Sequence, residues 1–226
     1  MRRTLDLEGL ELRTPPGPEP SGEAVLRGLL SMAQEALDRL RARTDQPTAA
    51  LGRIRGTGRG VSFGRLIERL EADHPIELVS PFEGSEKVAG AVWEPDRAGG
   101  PALAKLRWDA RATDLPMHVH EHSDRFIIVL EGRGYFHVTS QNLGAFDGSA
   151  VRTVPARERD VFVFTRGVVH TFSTDRSPMV LLSCQAPYLP FDDARQYTLP
   201  RYRWRARDHA DANPVVRCDA AWSILA

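Results

Sequence analysis

Nothing in this 226-residue chain approaches the roughly 20 consecutive apolar residues of a membrane-spanning helix. The N-terminal stretch MRRTLDLEGLELRTPPGPEP opens on two arginines but has no continuous apolar run behind them, which argues against a secretory signal. A surplus of either charge is also missing. Thirty Lys and Arg face thirty Asp and Glu, so no net field recommends nucleic acid or an anionic membrane surface. Lysine is confined to Lys87 and Lys105, and the arginines are scattered rather than clustered, a bias of composition and not a phosphate-binding patch. The two cysteines, Cys184 and Cys218, make no CxxC pattern and no disulfide framework, so a reducing, cytoplasmic setting is expected. There is no G-x-S-x-G elbow, and no GK[ST] follows the glycines of LGRIRGTGRG, which read as a connector.

What is present divides in three. Residues 1–20 end in TPPGPEPSG and read as an arm. From Ser21 to about Arg43, Leu26, Leu29, Leu30, Ala33, Leu37 and Leu40 recur at helical spacing, with Ser21 as N-cap and Glu23 at the positive end of the dipole. A shorter helical pattern follows through Phe63, Leu66, Ile67 and Leu70. After His74 come eight β-rich runs: IELVSPF, KVAGAVWEP, ALAKLRWD, RFIIVLEG, GYFHVTS, DVFVFT, VHTFST and PMVLLSCQAP. Turn residues separate them and no helix intervenes, which predicts an all-β antiparallel sandwich or closed barrel. The expected units are 1–74, an arm and helices packing on the barrel or on a partner subunit, 75–205, the barrel, and 206–226, a tail. QNLGAFDGSA reads as a hairpin loop on the surface, and QYTLPRYRWRARD as an edge strand or wrapping arm.

Four of the seven histidines fall in two of these regions. Residues i and i+2 of a strand share a face, so His118 and His120 can project into one cavity, where a neighbouring strand can bring His170. Three neutral imidazoles on a rigid sheet suit one divalent transition ion: Fe, Mn, Co, Ni, Cu or Zn. His122 lies near the strand end and reads as exposed or outer; His74, His137 and His209 read as surface or core residues. Tyr135 and His137 share a face of the next strand and could reach the cavity, although core is the preferred reading. Cys184 shares a strand face with Val180 and Leu182 and reads as a buried, inert thiol.

LPMHVHEHSDRFIIVLEG resembles the first motif of the cupin superfamily, G-x5-H-x-H-x3–4-E-x6-G, and ARERDVFVFTRGVVHTFST resembles the second, G-x5-P-x-G-x2-H-x3-N. His118, His120 and Gly132 match the first; Asp160, Gly167 and His170 fall in register in the second. The resemblance covers about residues 78–190 and implies a double-stranded β-helix barrel with a metal near its centre. Where the family carries a glutamate ligand, this chain has Arg125, which cannot ligate a cation. Three outcomes stay open: a three-histidine site with Arg125 binding a substrate carboxylate, Asp124 as fourth ligand through a one-residue bulge, or an empty site. In the second motif Arg159, Thr165 and Thr174 replace the usual glycine, proline and asparagine.

The resemblance implies a metal-dependent enzyme of small molecules, Fe being the favoured ion. The leading reading is a mononuclear oxygenase, dioxygenase-like, of a carboxylate or enolate substrate. A non-catalytic small-molecule-binding or regulatory barrel is one alternative, and an isomerase, epimerase or decarboxylase is another. Strand 126–130 is apolar on both faces and needs an outer cover, either the helix or the second subunit of a homodimer.

Overall fold

The computed structural model describes residues 20–54, 61–74, 78–79, 92–93, 100–190, 193–206 and 222–225. The glycine-rich 55–60, most of the first two β-rich runs, His209 and Cys218 lie outside them. Helix α1 (Gly22–Arg41) starts where Ser21 Oγ accepts the Ala24 N–H at 3.3 Å, with Glu23 in its first turn and Arg39 and Arg41 in its last. Helix α2 (Phe63–Asp73) is capped likewise by Ser62 and buries Phe63, Leu66, Ile67 and Leu70. The two helices meet end to end, Gly22 N–H donating to the Asp73 carboxylate at 2.7 Å. A Cβ on Gly22 would stand 2.4 Å from the Arg69 carbonyl, so this contact requires glycine.

The strands are β1 (Ala49–Arg53), β2 (Leu78–Val79), β3 (Val92–Trp93), β4 (Ala102–Trp108), β5 (Asp124–Val138), β6 (Arg152–Arg157), β7 (Asp160–Phe164), β8 (His170–Ser173), β9 (Met179–Ala186) and β10 (Trp222–Leu225). They are hydrogen-bonded in the order β10-β1-β7-β5-β9-β4-β2, with β3 on β4 and with β6 and β8 on β5. Every pairing is antiparallel except β2 with β4. This mostly antiparallel sheet, folded on itself with two helices on its N-terminal side, is a double-stranded β-helix.

Strand β5 is common to both halves of the fold. Residues 124–132 pair with β7 and β9, and residues 133–138 pair with β6 and β8. RFIIVLEG and GYFHVTS, expected as two strands split by a turn, are therefore one. The register slips between Val129 and Glu131, and Gly132 takes φ +75°, where a Cβ would lie 2.0 Å from the Pro178 carbonyl. A bulge and a glycine bend the strand without ending its ladder.

Three strands carry little sequence signal. β1 (AALGR) lies in the stretch assigned to the N-terminal extension and β10 in the tail, yet both belong to this sheet. Their places come from the free side of β7, not from β propensity. β6 contains Pro155, which is tolerated because this strand pairs only with β5. The β1–β7 ladder also explains a motif departure. Thr165 N–H donates to Thr48 O at 3.0 Å and Thr165 Oγ1 accepts from Thr48 N–H at 3.0 Å; proline could do neither.

Alternation along β5 and β9 separates two apolar layers. Phe126, Ile128, Leu182 and Cys184 pack under Val25, Leu29, Ala33, Leu37 and Leu40 of α1. Ile127, Val129, Leu181, Phe136 and Phe162 fill the barrel. The outer face of strand 126–130 is thus covered by the chain's own helix. Cys184 is buried in that outer layer, and burial pushes its thiol up to about 12.

Candidate metal centre and cavity

His118 and His170 face one another across an isolated antiparallel bridge, each backbone N–H donating to the other's carbonyl at 2.9 Å. Two residues on, His120 O accepts from Gly167 N–H at 2.9 Å, so the 118–120 stretch is tied to the turn before β8 at both histidines. That turn needs Gly167, whose φ is +87°. The three rings converge, with centroids 5.1 Å (118–120), 4.5 Å (118–170) and 5.3 Å (120–170) apart. One ring nitrogen of each lies within 4.8 Å of the others.

Backbone carbonyls choose the nitrogen. His118 Nδ1 sits 3.1 Å from Pro116 O, His170 Nδ1 2.9 Å from Val168 O, and His120 Nδ1 2.5 Å from Gln196 O. A carbonyl can only accept, so each neutral ring carries its proton on Nδ1 and keeps the Nε2 lone pair free. Burial pulls His118 down to about 4, helped by the Arg125 charge and opposed by the Pro116 carbonyl. His120 and His170 are driven well below the ordinary histidine value, chiefly by burial, with Arg125 and the neighbouring histidines adding to it. Neutral imidazoles with defined tautomers are the donor set a divalent transition ion takes, so these residues fit one. Among the described residues no carboxylate joins them.

Asp124 is not the fourth ligand. It lies on the outer face of β5, fully buried, with one oxygen on the Arg41 guanidinium of α1 and the other accepting Arg166 N–H at 2.5 Å. The bulge that could have turned it inward comes five residues later. Strand parity instead sends Arg125 inward, where it lines the cavity at 4% exposure. Its Nη1 donates to Ser123 Oγ and to Asp124 O (3.3 Å); its Nη2 donates to Gln196 Oε1 at 2.8 Å and lies 2.9 Å from His120 Nδ1. That last contact is an approach and not a bond, because the His120 proton points at the Gln196 carbonyl. Burial lowers the guanidinium to about 9, which leaves it charged at neutral pH. Three of its donors are spent within the protein, which limits how many Arg125 could offer the substrate carboxylate expected for it.

The rings open on a cavity of about 190 Å³. Leu106, Trp108, Leu115, Ile127 and Phe172 are among its apolar lining, with Ser183, Gln185 and Gln196 also lining it alongside Arg125. The stretch QYTLPRYRWRARD, read as an edge strand or an arm, is an arm over its described residues 196–206. It is pinned by reciprocal Val119–Thr198 backbone bonds of 3.0 and 2.8 Å, by Thr198 Oγ1 donating to Glu121 at 2.6 Å, and by buried Trp204. It delivers Gln196 and Tyr197 to the cavity, Tyr197 lying 5.8 Å from the His118 ring. Gln196 carried no recognisable signal. Gln185 and Ser183 did: they alternate with Cys184 on β9, on the face opposite the apolar one.

The remaining histidines do other work. His137 is a satisfied core residue, its Nδ1 on Thr153 Oγ1 (2.9 Å), its Nε2 on Ser173 Oγ (2.7 Å) and its ring against Trp204. Burial takes it down to about 3. His122 is exposed, and His74 Nε2 lies 3.1 Å from Glu23. The 139–151 hairpin loop stays out of the cavity wall and packs Phe146 and Val151 with Trp204.

Residues 107–184 match the family model described as Cupin domain. No curated protein matches the chain. Among solved structures it is similar to an uncharacterized conserved protein with a double-stranded beta-helix domain from Klebsiella pneumoniae subsp. pneumoniae MGH 78578, at 16% identity over 49% of this chain and 82% of that one (TM-score 0.36). It is similar at 19% identity to an oxalate oxidase in complex with the substrate analogue glycolate, over 40% of this chain and 44% of that one (TM-score 0.34). A third is oxalate decarboxylase from Bacillus subtilis, at 21% identity over 38% of this chain and 21% of that one (TM-score 0.31). The chain thus spans less than half the length of either oxalate enzyme. With both histidine motifs and the folded sheet in hand, the match assigns a cupin domain to residues 107–184 of this chain.

Proposed function

We propose that this protein is a mononuclear metal-dependent oxygenase of a small carboxylate or enolate, with His118, His120 and His170 as the metal ligands. The observation that carries the reading is three converging rings, one nitrogen of each within 4.8 Å of the others and each Nδ1 on a backbone carbonyl, beside the buried cation Arg125. The bound ion, Fe favoured, would supply open coordination positions for O2 and a chelating substrate oxygen. The chain's residues do the rest. Arg125 adds a fixed positive charge that no ligating carboxylate offsets, which selects an anionic substrate. The apolar wall excludes water and strengthens that attraction. The arm carrying Gln196 holds His120 and Arg125 in place together.

Helix α1 covers this barrel, and β1 and β10 extend its sheet. Because α1 already buries the outer face of β5, the two-faced strand gives no separate reason for the homodimer expected from sequence. No helix among the described residues is long and apolar enough to cross a membrane, and a cytoplasmic, small-molecule role fits the lone described thiol being buried. The test is oxygen uptake by the Fe(II)-loaded protein with a panel of aryl and alkyl 2-oxo acids and carboxylates. Uptake is expected with the wild type and not with His170→Ala. The largely apolar wall favours one second reading, a ligand-binding barrel without turnover. Tight binding with no uptake by any member of the panel would select it.

A further inference from the structure

Which atom of each amide faces which way is normally ambiguous, but in this site a chain of obligate donors settles it. Arg125 has only N–H groups, so the Gln196 atom 2.8 Å from its Nη2 must be the oxygen. Gln196 Nε2 is then a donor, and its two hydrogens go to Leu189 O at 3.0 Å and to Gln185 Oε1 at 3.2 Å. The Leu189 carbonyl, which only accepts, fixes the same orientation independently. Gln185 therefore has its oxygen committed, and its Nε2 stands as a buried donor with no acceptor among the described residues. Gln185 is 2% exposed, lines the cavity and lies directly across the ladder from Arg125. A buried N–H2 without a partner costs stability unless something else accepts from it.

We infer that Gln185 Nε2 binds an acceptor oxygen of the substrate, and that the substrate is an amphipathic acid: a carboxylate or 2-oxo acid on an aryl or branched-alkyl body. The oxygen-bearing head meets Gln185 beside Arg125. The body lies against Leu106, Trp108, Leu115, Ile127 and Phe172, a stretch of the lining that is hydrocarbon and aromatic ring apart from the Trp108 indole N–H. A two-carbon diacid would leave that apolar stretch unfilled. The inference rests on the cavity serving as the substrate site proposed above, but it concerns the organic ligand and not the ion, so the two can fail separately.

The experiment is calorimetric titration with 3-phenylpropionate, phenylpyruvate, oxalate and benzyl alcohol, on protein with and without Co2+. Metal stoichiometry and thermal unfolding are measured in parallel. 3-Phenylpropionate or phenylpyruvate should bind the wild type at least about tenfold more tightly than oxalate or benzyl alcohol. Gln185→Leu, close in size, should lose about tenfold or more of that affinity with Co2+ stoichiometry unchanged. Gln185→Glu keeps the acceptor for Gln196 but replaces the donor with an anion, and should lose still more. Unfolding at wild-type temperature in either variant excludes a folding defect. Equal affinity in folded Gln185→Leu, a preference for oxalate, or no binding of any probe with or without Co2+ overturns the inference. Binding of phenylpropionate by a wild type that takes up no Co2+ would instead remove the metal proposal and leave this one standing.

Discussion

Asp124 and Arg125 are chain neighbours of opposite charge, both almost fully buried, and they have opposite fates. Asp124 points to the outer face of β5, where Arg41 of α1 and the Arg166 N–H satisfy both of its oxygens. Arg125 points to the inner face, into a cavity with three histidines and an amide donor that lacks an acceptor. The outer face is closed: charge matched, apolar residues covered, no room left. The inner face is open, with positive charge in excess and hydrogen-bonding capacity held in reserve. Buried polar groups that are completed hold a fold together, while those left incomplete mark where a ligand belongs.

Breaking the outer face should cost stability and spare the centre. Arg41→Ala leaves the buried Asp124 carboxylate with only the more distant, exposed Arg166 guanidinium at 3.6 Å and should destabilise the protein by about 1–3 kcal/mol. Urea unfolding would show it, with metal stoichiometry unchanged. A loss of metal in the folded variant would mean that the two faces are not separate.

Acid should act through the buried histidines. Burial holds His118 at about 4 and His137 at about 3, against about 6.5 in the unfolded chain. Between those values the unfolded state binds the extra protons, so stability rises with pH and is lost as pH falls from about 6.5 toward 4. The expected loss is on the order of a few kcal/mol, read from thermal melts of the metal-free protein. His137→Gln should shallow the slope; an unchanged slope would mean that His137 charges as readily folded as unfolded.

Charge reversal on the inner face should act on the ion. Arg125→Glu replaces a repelling cation beside His120 with a carboxylate and should tighten Co2+ binding by about tenfold while abolishing binding of 3-phenylpropionate. Unchanged metal affinity would place the side chain electrically outside the centre. The smallest effect concerns neither face. Arg159 has φ +70° in the β6–β7 turn, where the family has glycine, so Arg159→Gly should shift stability by no more than about 1 kcal/mol, in the stabilising direction.

Much of this comparison was readable in advance. The leucine spacing of α1, the His118–His120 pair and the two motifs all follow from periods of 3.6 and 2, which are local properties of a chain. Whether Asp124 or Arg125 faced inward was not readable, because it turned on where the bulge fell, and the ladder slips only after Val129. β1 escaped notice because AALGR has no β propensity of its own and is a strand only by pairing with β7. Gln196 escaped because an irregular arm has no periodicity to place a side chain. Gln185 could have been found: once Cys184 was assigned to the apolar face, parity put Ser183 and Gln185 opposite it.

Metal content of the purified protein, measured by elemental analysis, tests the central claim most directly. The wild type and folded Asp124→Asn should each carry about one divalent transition ion per chain, and His118→Ala and His170→Ala should carry none. Retention of the ion by either folded histidine variant, or its loss from folded Asp124→Asn, would contradict the account.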